Sequence, residues 1–236
     1  MRKTRFERLS RVATISRHTT AMGIDLDTIH AKSLEAKANP RKREILVLHR
    51  DDSDPLHRML NAIEPQTYVR PHRHHTPPKA EVFVLLSGSM GFVPFLNDGT
   101  PDEENFIWLH PTKGSLIADC REDVWHTLLA LETNTVVFEA KAGPFDPATD
   151  KEFAPWAPAD DSPDAQDYLR SLEQVFRKKF GVELTERFVE PLQRLQDWGF
   201  LAVEGDQVLL NREGLLQVDR LLHEFFLPEH RNARYA

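Results

Sequence analysis

Two periodicities divide the chain. Between Ile24 and Asn39 apolar positions fall at helical spacing (Ile24, Leu26, Ile29, Leu34), and Pro40 ends the pattern because proline cannot donate within a helix interior. From Ile45 to Lys141 short β-rich runs recur: EILVLH, RMLNAI, TYVRPH, EVFVLL, GFVPFL, NFIWLH, SLIAD, WHTLLAL and TVVFEAK. Turn-forming stretches such as DDSDP and LNDGTPDEE separate them, which predicts an all-β sandwich or barrel. Residues 142–165 hold five prolines and several acids, and read as a strap closing that domain. Helical spacing then returns. Tyr168, Leu169, Leu172, Val175, Phe176 and Phe180 suit one helix ended by Gly181. Phe188, Leu192, Leu195 and Trp198 suit a second, with Thr185 a fair N-cap. FLAVEGDQVLL reads as a hairpin, and a last helix is expected from about Glu213 to Phe226.

Composition narrows the class. The 236 residues, 40% hydrophobic and 28% charged, are ordinary for a globular protein of one large domain or of one medium and one small domain. A net charge of -7 argues against general attraction to nucleic acid or anionic lipid. No apolar run approaches the length of a membrane span. Cys120 is the single cysteine, so a disulfide framework and a cysteine-based zinc or iron–sulfur site are excluded within one chain, and a reducing cytoplasm is expected. The basic start, MRKTRFERLSRVATISRH, lacks the apolar core of a secretory signal; it has the look of a mitochondrial-type presequence or of a solvated extension over residues 1–23, and the extension is favoured.

The run YVRPHRHHTPPKAEVFVLLSG concentrates the chemistry. In a strand, side chains alternate faces, so Tyr68, Arg70, His72 and His74 share one. His72 and His74 can then aim at one point, Glu81 supplies a carboxylate from the next strand, and His126 in DVWHTLLAL joins from a third. Three imidazoles and a carboxylate suit one divalent transition metal (Fe, Mn, Ni, Zn or Cu) with positions left open. His75 points to the opposite face. His18, His30, His49, His57, His110, His223 and His230 read as structural or solvated, and Cys120 as a buried, inert thiol. Glu139 and Lys141 share a face of the last strand. Facing inward with Arg70, they are costly unless the charges pair or meet an anionic or hydroxyl-rich ligand, with Arg70 as a bidentate clamp.

The same stretch resembles the first motif of the cupin superfamily, in which H-x-H precedes a glutamate and then a glycine seven residues on; here these are Glu81 and Gly88. Its longer gap from His74 to Glu81 resembles the WbuC-type cupin-fold metalloproteins, as do NPRKRE, DPLHRMLNAIEPQTYVRPHRH, WHTLLALE and VVFEAKAGPFDP through DKEFAPWAP. The resemblance covers roughly residues 24–158 and implies a β-barrel with a metal on His72, His74, Glu81 and His126. Two departures stand out. Arg121 and Asp123 replace the proline and glycine usual before the second-motif histidine, and Ala80 replaces an aromatic residue.

Helix–helix–hairpin–helix over residues 159–236 resembles a winged-helix domain. Its LQRLQDWGFLAVEGDQVLL and LPEHRNARY segments look like the C-terminal domain of radical-SAM coproporphyrinogen dehydrogenase-like proteins. Residues 162–236 carry thirteen acids and ten Lys/Arg, so a protein-contact or lid role is favoured over DNA. The expectation is an α+β chain: an N-terminal extension over 1–23, a cupin barrel over 24–158 and a winged-helix-like domain over 159–236. The barrel would bind or act on a small polar molecule, sugar-derived or carboxylate, with Tyr68, Glu139 and Lys141 as proton carriers and Arg70 on the substrate. Whether it is an enzyme stays open, with isomerase, lyase or oxygenase chemistry as the catalytic form. The alternatives are a metal or ligand sensor, or an accessory subunit whose C-terminal domain meets a partner such as a radical-SAM enzyme. A homodimer is compatible with either.

Overall fold

A computed structural model describes residues 6–180, 189–204 and 207–225. The chain divides into two units, 1–176 and 177–236. The first is mostly β-sheet. Its strands are β1 Phe6–Ser10, β2 Ala13–Ser16, β3 Arg43–Val47, β4 Leu56–Ile63, β5 His72–Arg73, β6 Glu81–Ser87, β7 Met90–Phe95, β8 Ile107–Leu109, β9 Ile117–Cys120, β10 Trp125–Ala130, β11 Thr135–Ala142 and β12 Glu152–Phe153. They form a seven-stranded sheet ordered β1-β2-β3-β4-β11-β6-β9 and a five-stranded sheet ordered β12-β5-β10-β7-β8. Apart from the parallel pair β2–β3, every pairing among these strands is antiparallel. This two-sheet arrangement is consistent with the barrel that the cupin resemblance implies.

Strand alternation sorts side chains to the two faces of the larger sheet. One face of β4 and β11 (Leu60, Ala62, Val136, with Phe138) packs with Leu46 and Ala36 of helix α1, Leu26–Ala38. Asp25 caps α1 by accepting from the Thr28 amide, and Asn39 closes it, matching the expected helix. The opposite face encloses an apolar cluster that includes Ile63, Phe83, Leu85, Phe92, Leu128 and Val137. Alternation along β4 and β11 puts Asn61, Glu139 and Lys141 on that same inner face. Gly88 turns between β6 and β7 at φ +74°, and a Cβ there would lie 2.6 Å from the Thr135 Cα.

Three readings change. The N-terminal segment is not a solvated extension: β1 and β2 form a hairpin, β2 extends the sheet beside β3, and Arg8 donates to both carboxylate oxygens of the buried Glu44 at 2.7 Å. One of its cations, Arg8, thus has a fixed partner. TYVRPH is not a continuous strand; only His72–Arg73 pairs there, and Pro71 lacks the amide a ladder needs. The first unit also runs past Pro158, because α2, Ala165–Phe180, buries Phe176 against Gly91 and stacks it on Phe106 at 5.5 Å.

The second unit contains helix α3 Val189–Asp197, hairpin β13 Leu201–Glu204 with β14 Gln207–Leu210, and short helices α4 Arg212–Leu216 and α5 Val218–Leu221 before a 3₁₀ turn, Leu222–Phe225. Leu192, Leu195, Leu201 and Leu221 form its core. The expected last helix is therefore broken into short pieces. Gly181, Thr185, Phe188, the Gly205–Asp206 turn, Phe226, His230 and the LPEHRNARY tail lie outside the described residues. No helix among the described residues is long and apolar enough to cross a membrane.

Candidate metal centre

The four expected ligands converge from separate elements. His72 on β5 sits directly opposite His126 on β10, with ring centroids 4.7 Å apart. Glu81 opens β6, and His74 lies just beyond β5. All four are buried. Ligand atoms of His72, Glu81 and His126 lie within 4.8 Å of one another. His74 Nε2 is 3.0 Å from Glu81 Oε1, and His126 Nε2 is 3.0 Å from Glu81 Oε2. Val69, Phe83 and Leu128 line the same cavity, so the polar cluster stands in an apolar frame.

The far side of each ring decides what the near side presents. His72 Nδ1 is 2.9 Å from the Arg70 carbonyl, His126 Nδ1 is 2.9 Å from the Val124 carbonyl, and His74 Nδ1 meets the Asp150 carbonyl. A carbonyl accepts only, so each Nδ1 carries a proton, and a ring that holds no second proton presents a lone pair at Nε2. Those lone pairs face a carboxylate that also only accepts. Accordingly, His74 Nε2 and Glu81 Oε2 are buried atoms without a hydrogen-bond partner. An unmade buried bond costs about 1–3 kcal/mol per group, and His72, Glu81 and His126 form a group that could hold a metal ion, with His74 beside Glu81. A divalent transition metal fits the donor set, and backbone carbonyls on the outer nitrogens are the supports that metal-binding imidazoles use.

Protonation follows the same logic. Burial holds the His72 imidazolium well below its ordinary range, and Lys151 and His126 push the same way. Burial also opposes charge on His126, but the Cys120 thiol and the Glu81 carboxylate outweigh it and raise it to about 10. Burial raises Glu81, yet His126 and His74, with Lys141, hold it well below the carboxylate range. Without a metal, a proton is the cation that reconciles the cluster.

Residues that the sequence reading did not single out complete the surroundings. Asp150 Oδ1 accepts from Lys79 Nζ at 2.7 Å and its Oδ2 from Lys141 Nζ at 3.0 Å, while its backbone carbonyl anchors His74. Lys141 Nζ is also 3.7 Å from Glu81. Arg43 Nε donates to Asn61 Oδ1 at 2.8 Å, and Asn61 Nδ2 donates to Glu139 Oε2 at 3.0 Å. Arg43, Glu139 and Lys151 line the cavity with His72, Glu81 and His126. Burial, with Lys141 and Arg43 nearby, lowers the Lys151 ammonium to about 8. Asp150 and Lys151 lay in the proline-rich strap and Arg43 in NPRKRE; no local pattern marks them, because their role depends on strand register.

Tyr68 and Arg70 turn elsewhere. The Tyr68 hydroxyl donates to the Pro158 carbonyl at 2.8 Å, and its ring meets Tyr168 edge-on. Arg70 donates to the Ala154 carbonyl at 3.1 Å and lies over the Phe153 ring. Their shared inward face assumed a regular strand that the chain does not make. His75 is half-exposed and bonds Asp123 at 2.8 Å. Asp123 takes the glycine position of the motif with φ +65°, a conformation aspartate tolerates better than most residues. Cys120 is buried, 3.8 Å from His126 Nδ1, and is the cross-strand partner of Glu81. The cavity admits water-sized spheres over about 10 Å³, about enough for one water molecule.

A family model described as a domain of unknown function (DUF6016) matches residues 24–107. Comparison with curated proteins finds no match. Among solved structures, KdgF from Halomonas sp. is 14% identical, covering 44% of this chain and 81% of its own, with a TM-score of 0.35. L-ribose isomerase from Geodermatophilus obscurus is 15% identical over 49% of this chain and 70% of its own, with a TM-score of 0.36. The capsular polysaccharide assembling protein CapF from Staphylococcus aureus is 21% identical over 46% of this chain and 31% of its own, with a TM-score of 0.35. At these scores the likenesses say nothing about activity.

Proposed function

We propose that residues 24–158 are a cupin-type domain, akin to the WbuC group, that holds one divalent transition metal on His72, His74, Glu81 and His126 and binds or acts on a small polar molecule beside it. The observation that carries this is the set of three imidazoles, each giving its Nδ1 proton to a backbone carbonyl and turning a lone pair toward one buried carboxylate. A bound ion supplies Lewis acidity and an ordered site for an oxygen ligand. In the catalytic form of this reading, Glu139 at the cavity wall and Lys141, 3.7 Å from Glu81, hold and move protons. Tyr68 and Arg70 then serve by fixing the strap through Pro158 and Ala154. Elemental analysis of purified protein tests the proposal: about one equivalent of metal is expected, and equal metal in the His72→Ala, His126→Ala double variant would sink it.

A second reading, a metal or ligand sensor or accessory subunit, draws on two observations. The cavity has room for about one water, which leaves little space for a substrate beside the donor cluster. The second unit exposes Leu215 at 63% and Leu216 at 78%, apolar surface of the kind a protein partner covers. In this reading the second unit is winged-helix-like and contacts a partner such as a radical-SAM enzyme. Pull-down with the full chain, compared with Leu215→Ser, Leu216→Ser, tests it; identical capture by both would remove that surface from the proposal.

A further inference from the structure

The charges around the donor cluster do not balance. Four cationic side chains, Arg43, Lys79, Lys141 and Lys151, gather there with three carboxylates, Glu81, Glu139 and Asp150. One positive charge is left in excess, and a divalent ion adds two more. Glu152, the next acid along, is taken up by Arg73 at 2.8 Å outside the cavity. Lys79 and Lys141 are buried while Arg43 and Lys151 are half-buried, so the excess positive charge favours an anion beside the two half-buried cations.

The individual partners show where that anion belongs. Lys79 and Lys141 are committed to Asp150, and Lys79 also donates to the Pro144 carbonyl. Arg43 commits its Nε to Asn61. Lys151 makes no hydrogen bond or ion pair among the described residues, although it lines the cavity beside His72 and Glu81. It is half-buried on the strap leading into β12, with a flexible stem that can withdraw toward solvent. Free room for about one water limits the ligand group to something small unless Lys151 moves.

We infer that Lys151, with Arg43 lining the same cavity, captures the carboxylate of a small ligand beside the donor cluster, and that Lys151 is the residue setting preference for anionic over neutral ligands. This rests on the metal reading for most of the charge excess. It moves anion recognition from Arg70, which faces the Ala154 carbonyl, to two residues without a motif.

The test uses the full chain loaded with Co²⁺, titrated with acetate and, as a neutral control, acetamide, while visible absorption and calorimetry are read. Wild type is expected to bind acetate saturably and acetamide about tenfold or more weakly, as a charge-assisted bond predicts. Lys151→Met should raise the acetate Kd about tenfold with metal content unchanged, and Lys151→Arg should restore it to within about threefold of wild type. Equal acetate affinity in wild type and Lys151→Met, or no acetate binding by the loaded wild type, overturns the inference and leaves the metal reading intact. Failure of wild type to take up metal overturns the metal reading. Calorimetry on the metal-free chain then decides for or against Lys151 by the same comparison.

Discussion

Two buried histidine groups occupy the first unit, and they are built differently. His49 and His57 stack at 4.0 Å with rings 13° from parallel, beside Phe145. His49 Nδ1 engages the backbone of Arg58, and His57 Nε2 is 3.2 Å from the Asp52 carbonyl. No carboxylate side chain hydrogen-bonds either ring among the described residues. His72, His74 and His126 instead use the backbone only for Nδ1 and converge through Nε2 on Glu81. Burial and histidine content are alike in the two places. What separates them is convergence: His74 and His126 each set Nε2 3.0 Å from the one buried carboxylate of Glu81, whereas the hydrogen bonds of His49 and His57 go to backbone groups.

The largest effect should come from exchanging which group is removed. His72→Ala, His126→Ala should lower bound metal from about one equivalent to near zero, whereas His49→Ala, His57→Ala should keep the metal and lose about 2–5 kcal/mol of stability, read by elemental analysis and chemical denaturation. Metal loss in both variants would erase the distinction.

Asp150→Asn sharpens the comparison next, since Asp150 supports only one of the two groups. The variant leaves the buried Lys79 ammonium without a counter-charge and Lys141 with only the longer contact to Glu81, at about 3–5 kcal/mol, and loosens the loop that anchors His74, weakening metal binding about tenfold. Burial pushes the Asp150 carboxyl up, but Lys141 and Lys79 outweigh it and hold it below its ordinary range. A depressed carboxylate contributes stability that is present above its unfolded pKa and lost as pH falls through the folded value. The wild-type Tm should therefore drop more steeply below about pH 4 than that of Asp150→Asn. Parallel curves would remove Asp150 as the ionic hub.

A smaller effect is expected from pH alone. Metal affinity should fall as pH drops below about 10, because His126 must lose its proton to coordinate, while the His49–His57 stack adds nothing to that dependence. Competition titration with a chromophoric chelator on wild type and His49→Ala reads both. The smallest change should be Asp123→Gly, within about 1 kcal/mol in denaturation, since relief of the φ +65° conformation offsets loss of the Arg73 and His75 contacts.

The histidine spacing, the β-rich runs and the return to helical period were legible because each is a local pattern in the chain. His72, His74, Glu81 and His126 could be proposed together on that basis, and α1 could be placed to within two residues at its start and one at its end. Tyr68 and Arg70 were misplaced because alternation holds only inside a paired strand, and pairing begins at His72. The basic N-terminus looked unpartnered because Glu44, its partner, is 36 residues away from Arg8.

By itself the sequence determined which side chains can ligate, since imidazole and carboxylate chemistry belongs to the residue type, and which segments alternate or wind. Tertiary structure alone decided which nitrogen of each ring faces inward, since that depends on the carbonyls of Arg70, Val124 and Asp150. It also decided that Asp150, Arg43 and Lys151 stand around the cluster, because strand order and register bring together residues that no local pattern connects.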